Sequence, residues 1–490
     1  MKTIKLIALA AILMLGAGCK GYLDEDLSGK VVGNAALGTQ AGLEAALTGA
    51  YKGLGNTWAT GFFHGTATGA TMGGDDITTL VGSNKQEFRE FDQFAVSAGN
   101  SRTSNLYFGC YKSIQGANNV IANYTNTKGD QQTINTIAGE AYFLRAFSYY
   151  WLTRLYGSIP MITTAEFSKD QLTIGLTKPA DVYALIESDL GQAIQLLPDA
   201  KRDYGRPNKG SALSFLADVY LTEGGWPIQD ASKYALAAST AKQVIDDHSK
   251  YGFEFLPTYA QIFENDPTQN GTAEDIFDIT ANMANGSTTE ANYGWAAMPG
   301  DMGGWDDYFS ELNFFKNFPP GPRKDVTFRL TYTMADGTVK TWEQLTSKHP
   351  YYGKFWIKGD VANWASSLPL VMMRYTHVLL IYAEAKARSG GPDADAYTYL
   401  NMVRQRGGES PLTQGSLSAT QFADSVVQER AWEFAGERTR WFDLVRLQLV
   451  EKANANKNPG DLQPIGAITK SDYTFPLPIS ETSANPNLNP

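Results

Sequence analysis

The segment that most restricts how this chain can fold is VVQERAWEFAGERTRWFDLVRL, Val426 to Leu447. Its charged residues Glu429, Arg430, Glu433, Glu437, Arg438, Arg440, Asp443 and Arg446 recur at helical steps between Trp432, Phe434, Trp441, Phe442 and Leu444. Charges set among so much apolar mass can be buried only if acids and bases answer one another. Spacings of three and four residues allow such pairs along a helix. A second helix pattern precedes it, RYTHVLLIYAEAKARSG from Arg374 to Gly390. There Val378, Leu379, Tyr382, Ala385 and Lys386 fall at three- and four-residue steps, with a glycine stop at Gly390 and Gly391. Together the two predict packed helices braced by a partly buried ion-pair network. Every acid has a base within reach, so none is expected to carry a lifted pKa, and no catalytic carboxylate pair is read here.

Helix patterns recur through the first half of the chain. Thr39 to Leu54 places Leu43, Ala46, Leu47, Ala50 and Tyr51 on one side, and helical texture returns from Ser104 to Tyr124. Ala138 to Tyr156 alternates small and large residues at helical steps and ends at Gly157 and Pro160. Asp181 to Leu197, the run GSALSFLADVYLTEG, and Ala231 to Asp247 continue the series. Small-large alternation in paired helices resembles tetratricopeptide packing, with an irregular period.

Two stretches break this texture. Gly53 to Asn84 is rich in glycine and threonine and predicts long loops or short irregular strands. Tyr251 to Pro369 is loop-rich and aromatic. Within it, alternation at Val326, Phe328, Leu330 and Tyr332, followed by Asp336-Gly337, predicts a small hairpin. Lys452 to Pro490 reads as mostly extended. The fold class is therefore mainly α, a tetratricopeptide-like scaffold of helical hairpins with a loop-rich, irregular second lobe containing a small hairpin. One body is expected over 36–490, with its scaffold at 36–250 and 371–450 and the loop-rich region at 251–370.

The N-terminus carries an address. Lys2 and Lys5 precede an apolar run from Leu6 to Leu15, and Gly16, Ala17 and Gly18 lead into Cys19. The run is too short to span a membrane and reads as an export signal over 1–18. A cysteine after small residues looks like a bacterial lipobox, here with Gly16 where leucine is usual. Acylated Cys19 would anchor a polar tether at 19–35. The other cysteine, Cys110, then has no partner, so no disulfide is expected; it reads as a buried small residue.

Several chemistries are not encoded. The four histidines form no HExxH pair or zinc cluster, and there is no Walker loop or GxSxG elbow. No cofactor is expected, and calcium only incidentally. A formal charge of -10 argues against nucleic acid as a partner, because phosphate contacts need Lys and Arg.

The two helix patterns also carry a resemblance. Arg374 to Ala385 is similar to R-Y-A-D-V-L-L-x-Y-A-E-A, with Thr376 and His377 as departures. Asn401 to Gly408 matches N-x-V-R-x-R-x-G, and Glu429 to Arg446 matches E-R-x-x-E-F-x-G-E-x-x-R-x-x-D-L-x-R. Leu477-Pro478-Ile479 and Asn485-Pro486-Asn487-Leu488 close the chain in the same manner. The order of these motifs resembles the SusD/RagB family, the surface nutrient-binding lipoproteins of Bacteroidetes. The resemblance implies four helical-hairpin units and an outward-facing outer-membrane lipoprotein without enzymatic activity. Such a protein captures glycan and delivers it to a SusC-like TonB-dependent transporter. Its ligand residues are not part of the signature.

Those residues are therefore sought by chemistry. A sugar offers apolar C–H faces and a rim of hydroxyls, which an aromatic ring and short polar side chains complement. Trp58, Trp295 and Trp305 stand in the loop-rich stretches, with Asn292, Tyr293, Asp301, Asp306 and Asp75 as candidate rim partners. Trp226, Trp432 and Trp441 read as packing, while Trp342, Trp356 and Trp364 are the reserve aromatics. The alternatives are a protein- or peptide-binding structural or adhesion lipoprotein, which would show a broad apolar patch without the row of exposed coplanar aromatics that favours sugar, and a glycoside-cleaving enzyme, which would need a deep cleft with converging acids.

Overall fold

The computed structural model describes residues 34–55, 61–62, 64–265, 271–280, 293–357 and 368–489. Most helices begin where a short polar side chain can cap them. Helix α1 (Gln40–Leu54) starts after Thr39, which accepts the Gly42 N–H at 3.2 Å. Helix α2 (Ser101–Asn123) is capped by Asn100 and α3 (Gln131–Tyr156) by Asp130. Helix α4 (Pro179–Leu196) opens on proline, which lacks the N–H that position cannot use. Asn208 caps α5 (Lys209–Glu223), and α6 (Lys233–Asp246) follows. After a long excursion come α7 (Tyr375–Gly390), α8 (Ala394–Gly407), α9 (Ala419–Glu433) and α10 (Arg440–Arg446).

Each of the helices α1 to α7 packs on the next, and α7 also packs on α8 and α9. The stack is thus continuous in space, because α6 lies directly on α7 although residues 247–374 separate them. Residues Tyr375 to Ala385 of α7 are all buried, as expected of a helix with neighbours on several sides.

The excursion is the second lobe. Its strands form four two-stranded antiparallel ladders among the described residues. Strand β2 (Asp275–Ile279) pairs with β8 (Leu370–Arg374) and closes its base. Strand β1 (Ile77–Thr78) pairs with β3 (Phe309–Ser310), bringing the glycine- and threonine-rich segment into the lobe. Strand β4 (Phe328–Arg329) pairs with β7 (Tyr351–Tyr352). The predicted hairpin is present as β5 (Thr331–Thr333) and β6 (Val339–Thr341), with Gly337 at φ 83 in its turn. It begins later than the alternation suggested. Pro322, preset for a first helical position, instead starts a short helix, Pro322–Thr327.

The stretch expected to be loop is partly core. Residues His64–Gly69 form a short helix, and Thr66, Thr68, Thr71, Met72, Asp76 and Thr78 are buried. Gly73 lies so close to the signature stretch that a Cβ there would meet the Trp441 ring at 2.5 Å. The tail from 452 onward is largely irregular, with short helical turns. It runs back over the first half: the Phe475 N–H donates to Leu155 at 2.7 Å and the Ile479 N–H to Ala98 at 2.9 Å. Trp441 is 1% exposed and stacks on Phe475, and Trp226 meets the Tyr473 ring edge-on, so both pack as expected. One hydrophobic core runs from Leu43 to Leu488, and a smaller cluster around Met298, Phe309, Tyr332 and Tyr351 fills the second lobe.

Candidate functional site

The segment 293–310 folds back on itself. A short helix, Tyr293–Ala296, leads through Pro299 into a tight turn at Gly300–Met302, and Gly303 at φ 85 reverses the chain. The returning strand bonds to the outgoing one, with Trp305 N–H donating to the Trp295 carbonyl at 2.7 Å and Asp307 N–H to Ala296 at 3.0 Å. That pairing sets the two tryptophans side by side. Their rings meet edge to face, centroids 5.5 Å apart at 88°, and both are half-buried. Edge-to-face contact holds two large rings in fixed relation. Trp305 rests on the main core, whereas Met298 and Met302 belong to the smaller cluster, so the loop spans the seam between them.

The other loop-rich stretch lies alongside. The helix His64–Gly69 packs on Tyr293–Ala296, and β1 pairs with β3. A buried ion pair between Lys85 and Asp307 ties the two stretches together.

Of the residues singled out from sequence, Trp295 and Trp305 are brought together. Asp301 and Asp306 sit in the same loop and already hold internal partners. Asp301 accepts from Lys340 Nζ and from Thr346 N–H, each at 3.0 Å. Burial works against its charge, but these donors outweigh it and keep the carboxyl below its usual range. Asp306, at φ 53, accepts from Gly300 N–H at 2.7 Å and from the Tyr351 hydroxyl, and burial raises its pKa. Asp75 is held by Arg440 through bonds of 2.5 and 2.9 Å. Trp58, Asn292 and Cys19 lie outside the described residues, as do Trp364 and the side chain of Tyr293. Of the reserve aromatics, Trp356 is buried and gives its indole N–H to Ala297 at 3.0 Å, and Trp342 is half-buried against Phe315. Lys85, Lys340, Thr346 and Tyr351, which fix the loop, were not found from sequence, because each reaches it across the fold.

The signature stretch forms an ion-pair network, but its pairing differs from the expected one. Partners come mostly from other elements rather than from three or four residues along. Five bases, Arg323, Lys354, Arg374, Arg404 and Arg406, meet five acids, Glu274, Glu409, Glu429, Glu433 and Glu437. Thr376 joins it, donating to Glu274 and accepting from Arg406 at 2.8 Å. Burial opposes the charge of Glu433, yet Arg406, Arg374 and Arg323 hold it well below the usual range. Glu437, desolvated but flanked by Arg374 and Lys354, is lowered to about 2. The expectation that no acid here is lifted is corrected at Glu429, which burial raises to about 7 although Arg323 lies 2.5 Å away. Its side chain is fully buried, so a substrate has no route to it. Cys110 is buried and burial raises its thiol, which removes it as a nucleophile. Among the described residues no group of three His, Cys, Asp or Glu side chains is placed to hold a metal ion.

Residues 211–490 match the family model described as SusD family, and residues 22–221 match one described as starch-binding associating with outer membrane. SusD-like protein P2 of Formosa agariphila is 29% identical over 100% of this chain and 99% of its own. A SusD superfamily protein from Parabacteroides distasonis superposes with a TM-score of 0.80 at 25% identity, covering 92% of this chain and 98% of that one. The fold is also shared with surface glycan-binding protein A from Bacteroides thetaiotaomicron, solved in complex with laminarihexaose. There the TM-score is 0.73 at 20% identity, over 91% and 98% of the two chains.

Proposed function

This chain belongs to the SusD family, and from that premise we propose that it captures an oligosaccharide at the outer membrane and passes it to a SusC-like TonB-dependent transporter. The observation that carries the reading is the edge-to-face pair of Trp295 and Trp305 on a loop braced at both ends. The two half-buried rings stand at 88°, so one ring face, held in place by the other ring, is what a sugar can pack against with little loss of entropy. Asp301 and Asp306 use some of their acceptor positions internally. A carboxylate has about four, so each retains capacity for a hydroxyl. Asp75, Asn292 and Tyr293 remain candidate rim partners, and Trp58 a candidate ring, on their sequence alone. The helical hairpins, tetratricopeptide-like in this reading, serve as the rigid base. The protein performs no bond chemistry; acylated Cys19 holds it to the outer leaflet, and it raises the ligand concentration over the pore.

The test is a calorimetric titration of the soluble 20–490 form against a glycan panel that includes laminarihexaose. Trp295→Ala and Trp305→Ala are each expected to weaken the best ligand by about 1–3 kcal/mol, by analogy with base stacking on aromatic side chains. Every 1.4 kcal/mol is about tenfold in affinity. Parental affinity in both folded variants would remove this site. Heat from no glycan, with heat from a peptide mixture, would favour the protein-binding alternative.

A further inference from the structure

The two stretches that build the tryptophan loop and its surroundings share a charge pattern. Residues 53–84 and 251–315 hold none of the chain's 41 lysines and arginines, yet they carry thirteen of its 51 acids. A base near the loop must therefore come from another segment, and those that reach it meet an acid there. Lys85 pairs with Asp307, Lys340 with Asp301, Arg440 with Asp75 and Lys457 with Glu311.

Asp306, next to Trp305 in the chain, is left over. No base of the described residues pairs with it. Its Oδ1 takes both of its hydrogen bonds, from the Gly300 N–H at 2.7 Å and from the Tyr351 hydroxyl. Its Oδ2 accepts from none of the described residues and stays open to solvent. A ligand beside Trp305 thus meets a carboxylate oxygen with room to accept a hydroxyl proton. A carboxylate or sulfate in the same place meets a like charge. Binding such a group would call for an arginine or lysine whose donors are still free, whereas Lys85 and Lys340 are already engaged.

On the premise that the tryptophan loop takes a glycan, we propose that it selects uncharged glycans, whose hydroxyls donate to Asp306, and rejects uronic-acid and sulfated ones. Charge is then what the loop discriminates: a neutral sugar brings donors to an acceptor, and an anionic one brings a second negative charge.

The soluble 20–490 form is titrated by calorimetry at pH 7.5 and about 50 mM salt. The probes are neutral oligosaccharides that include laminarihexaose, and oligogalacturonate and sulfated oligosaccharides of similar length. The best neutral ligand is then oxidised at its primary hydroxyls to carboxylates and titrated again. Neutral glycans should bind best, and oxidation should weaken the ligand at least about tenfold. Part of that loss should return at about 0.5 M salt, where surface charges are screened. Asp306→Asn keeps Oδ1 for Gly300 and Tyr351 and removes the charge, so it should narrow the gap several-fold. An oxidised ligand that binds like its parent, or a gap unmoved by both salt and Asp306→Asn, would overturn the proposal. An anionic oligosaccharide that binds best, and is lost in Trp305→Ala, would also overturn it while leaving the glycan site standing. Heat from no glycan of either class would count against the glycan reading itself and take this inference with it.

Discussion

His377 shows how one side chain can carry a measurable property of the whole fold. It is the third residue of α7, where the family signature usually has aspartate. Its Nδ1 accepts the Arg374 N–H at 3.2 Å, so a neutral imidazole supplies the acceptor that helix starts need. The ring stacks on Phe434 at 3.7 Å and 12°. Burial first, then the charges of Arg374 and Arg430, lower its pKa to about 3. In the unfolded chain it titrates near 6.5. The folded protein keeps it neutral where the unfolded chain protonates it, so its contribution is complete above about pH 6.5 and falls away toward pH 3. Asp76 and Glu429, raised to about 7 by burial, act in the opposite sense, gaining relative stability as pH falls from 7 toward 4. Comparison with a variant isolates the histidine. Between pH 7.5 and 4.5 the parent should lose about 2–3 kcal/mol more unfolding free energy than His377→Asn, which keeps an acceptor and does not titrate. Urea unfolding at the two pH values measures the difference; parallel losses in the two proteins would show that His377 does not titrate on unfolding.

At the scale of elements, the network joins pieces that sequence separates. Glu433 on α9 receives Arg374 at 2.8 Å, Arg406 at 2.6 Å and Arg323 at 3.1 Å, from the end of β8, from α8 and from the short helix Pro322–Thr327. Removing it leaves three buried guanidinium groups short of charge. Glu433→Ala should therefore lose about 3–5 kcal/mol in denaturant unfolding, with glycan affinity unchanged in folded molecules. Lost affinity at unchanged stability would move Glu433 from brace to binding site. That a network existed was legible in the sequence, because Glu429 to Arg446 carries more charge than a packed helix can bury unpaired. Its partners were not, since Arg323 and Lys354 stand in the irregular lobe with no pattern that points to α9. The same limit applies elsewhere. Helical texture marked the stack, but the threonines at 66, 68 and 71 read as loop because only tertiary packing buries them. For the site, tryptophans among glycines marked Trp295 and Trp305, whereas the contact that orients them is a backbone bond between residues ten apart.

At the scale of the molecule, the chain closes on itself while its N-terminal end remains outside the described core. The tail crosses the first helices, where the Asn485 and Asn487 side chains donate to the Ile174 and Thr173 carbonyls at 2.8 and 2.7 Å. The proposed membrane attachment rests on the sequence before Asn34. Among the described residues no helix is long and apolar enough to cross a membrane. Acyl chains on Cys19 would contribute about 0.8 kcal/mol per buried CH₂, and more than one chain is needed for stable anchoring. The residues between Cys19 and Asn34 reach at most about 50 Å when fully extended. If Cys19 is acylated as proposed, that reach is the farthest the body can stand from the membrane surface. Cys19→Ser should abolish palmitate labelling and move the protein from the membrane to the soluble fraction, with melting temperature and glycan affinity of the purified body unchanged. Cells carrying it should then fail to grow on the glycan although the binding site is intact, because capture would no longer be confined to the pore. Labelling that persists in Cys19→Ser would refute the anchor. Normal growth despite lost labelling would instead show that the transporter holds this protein without a lipid.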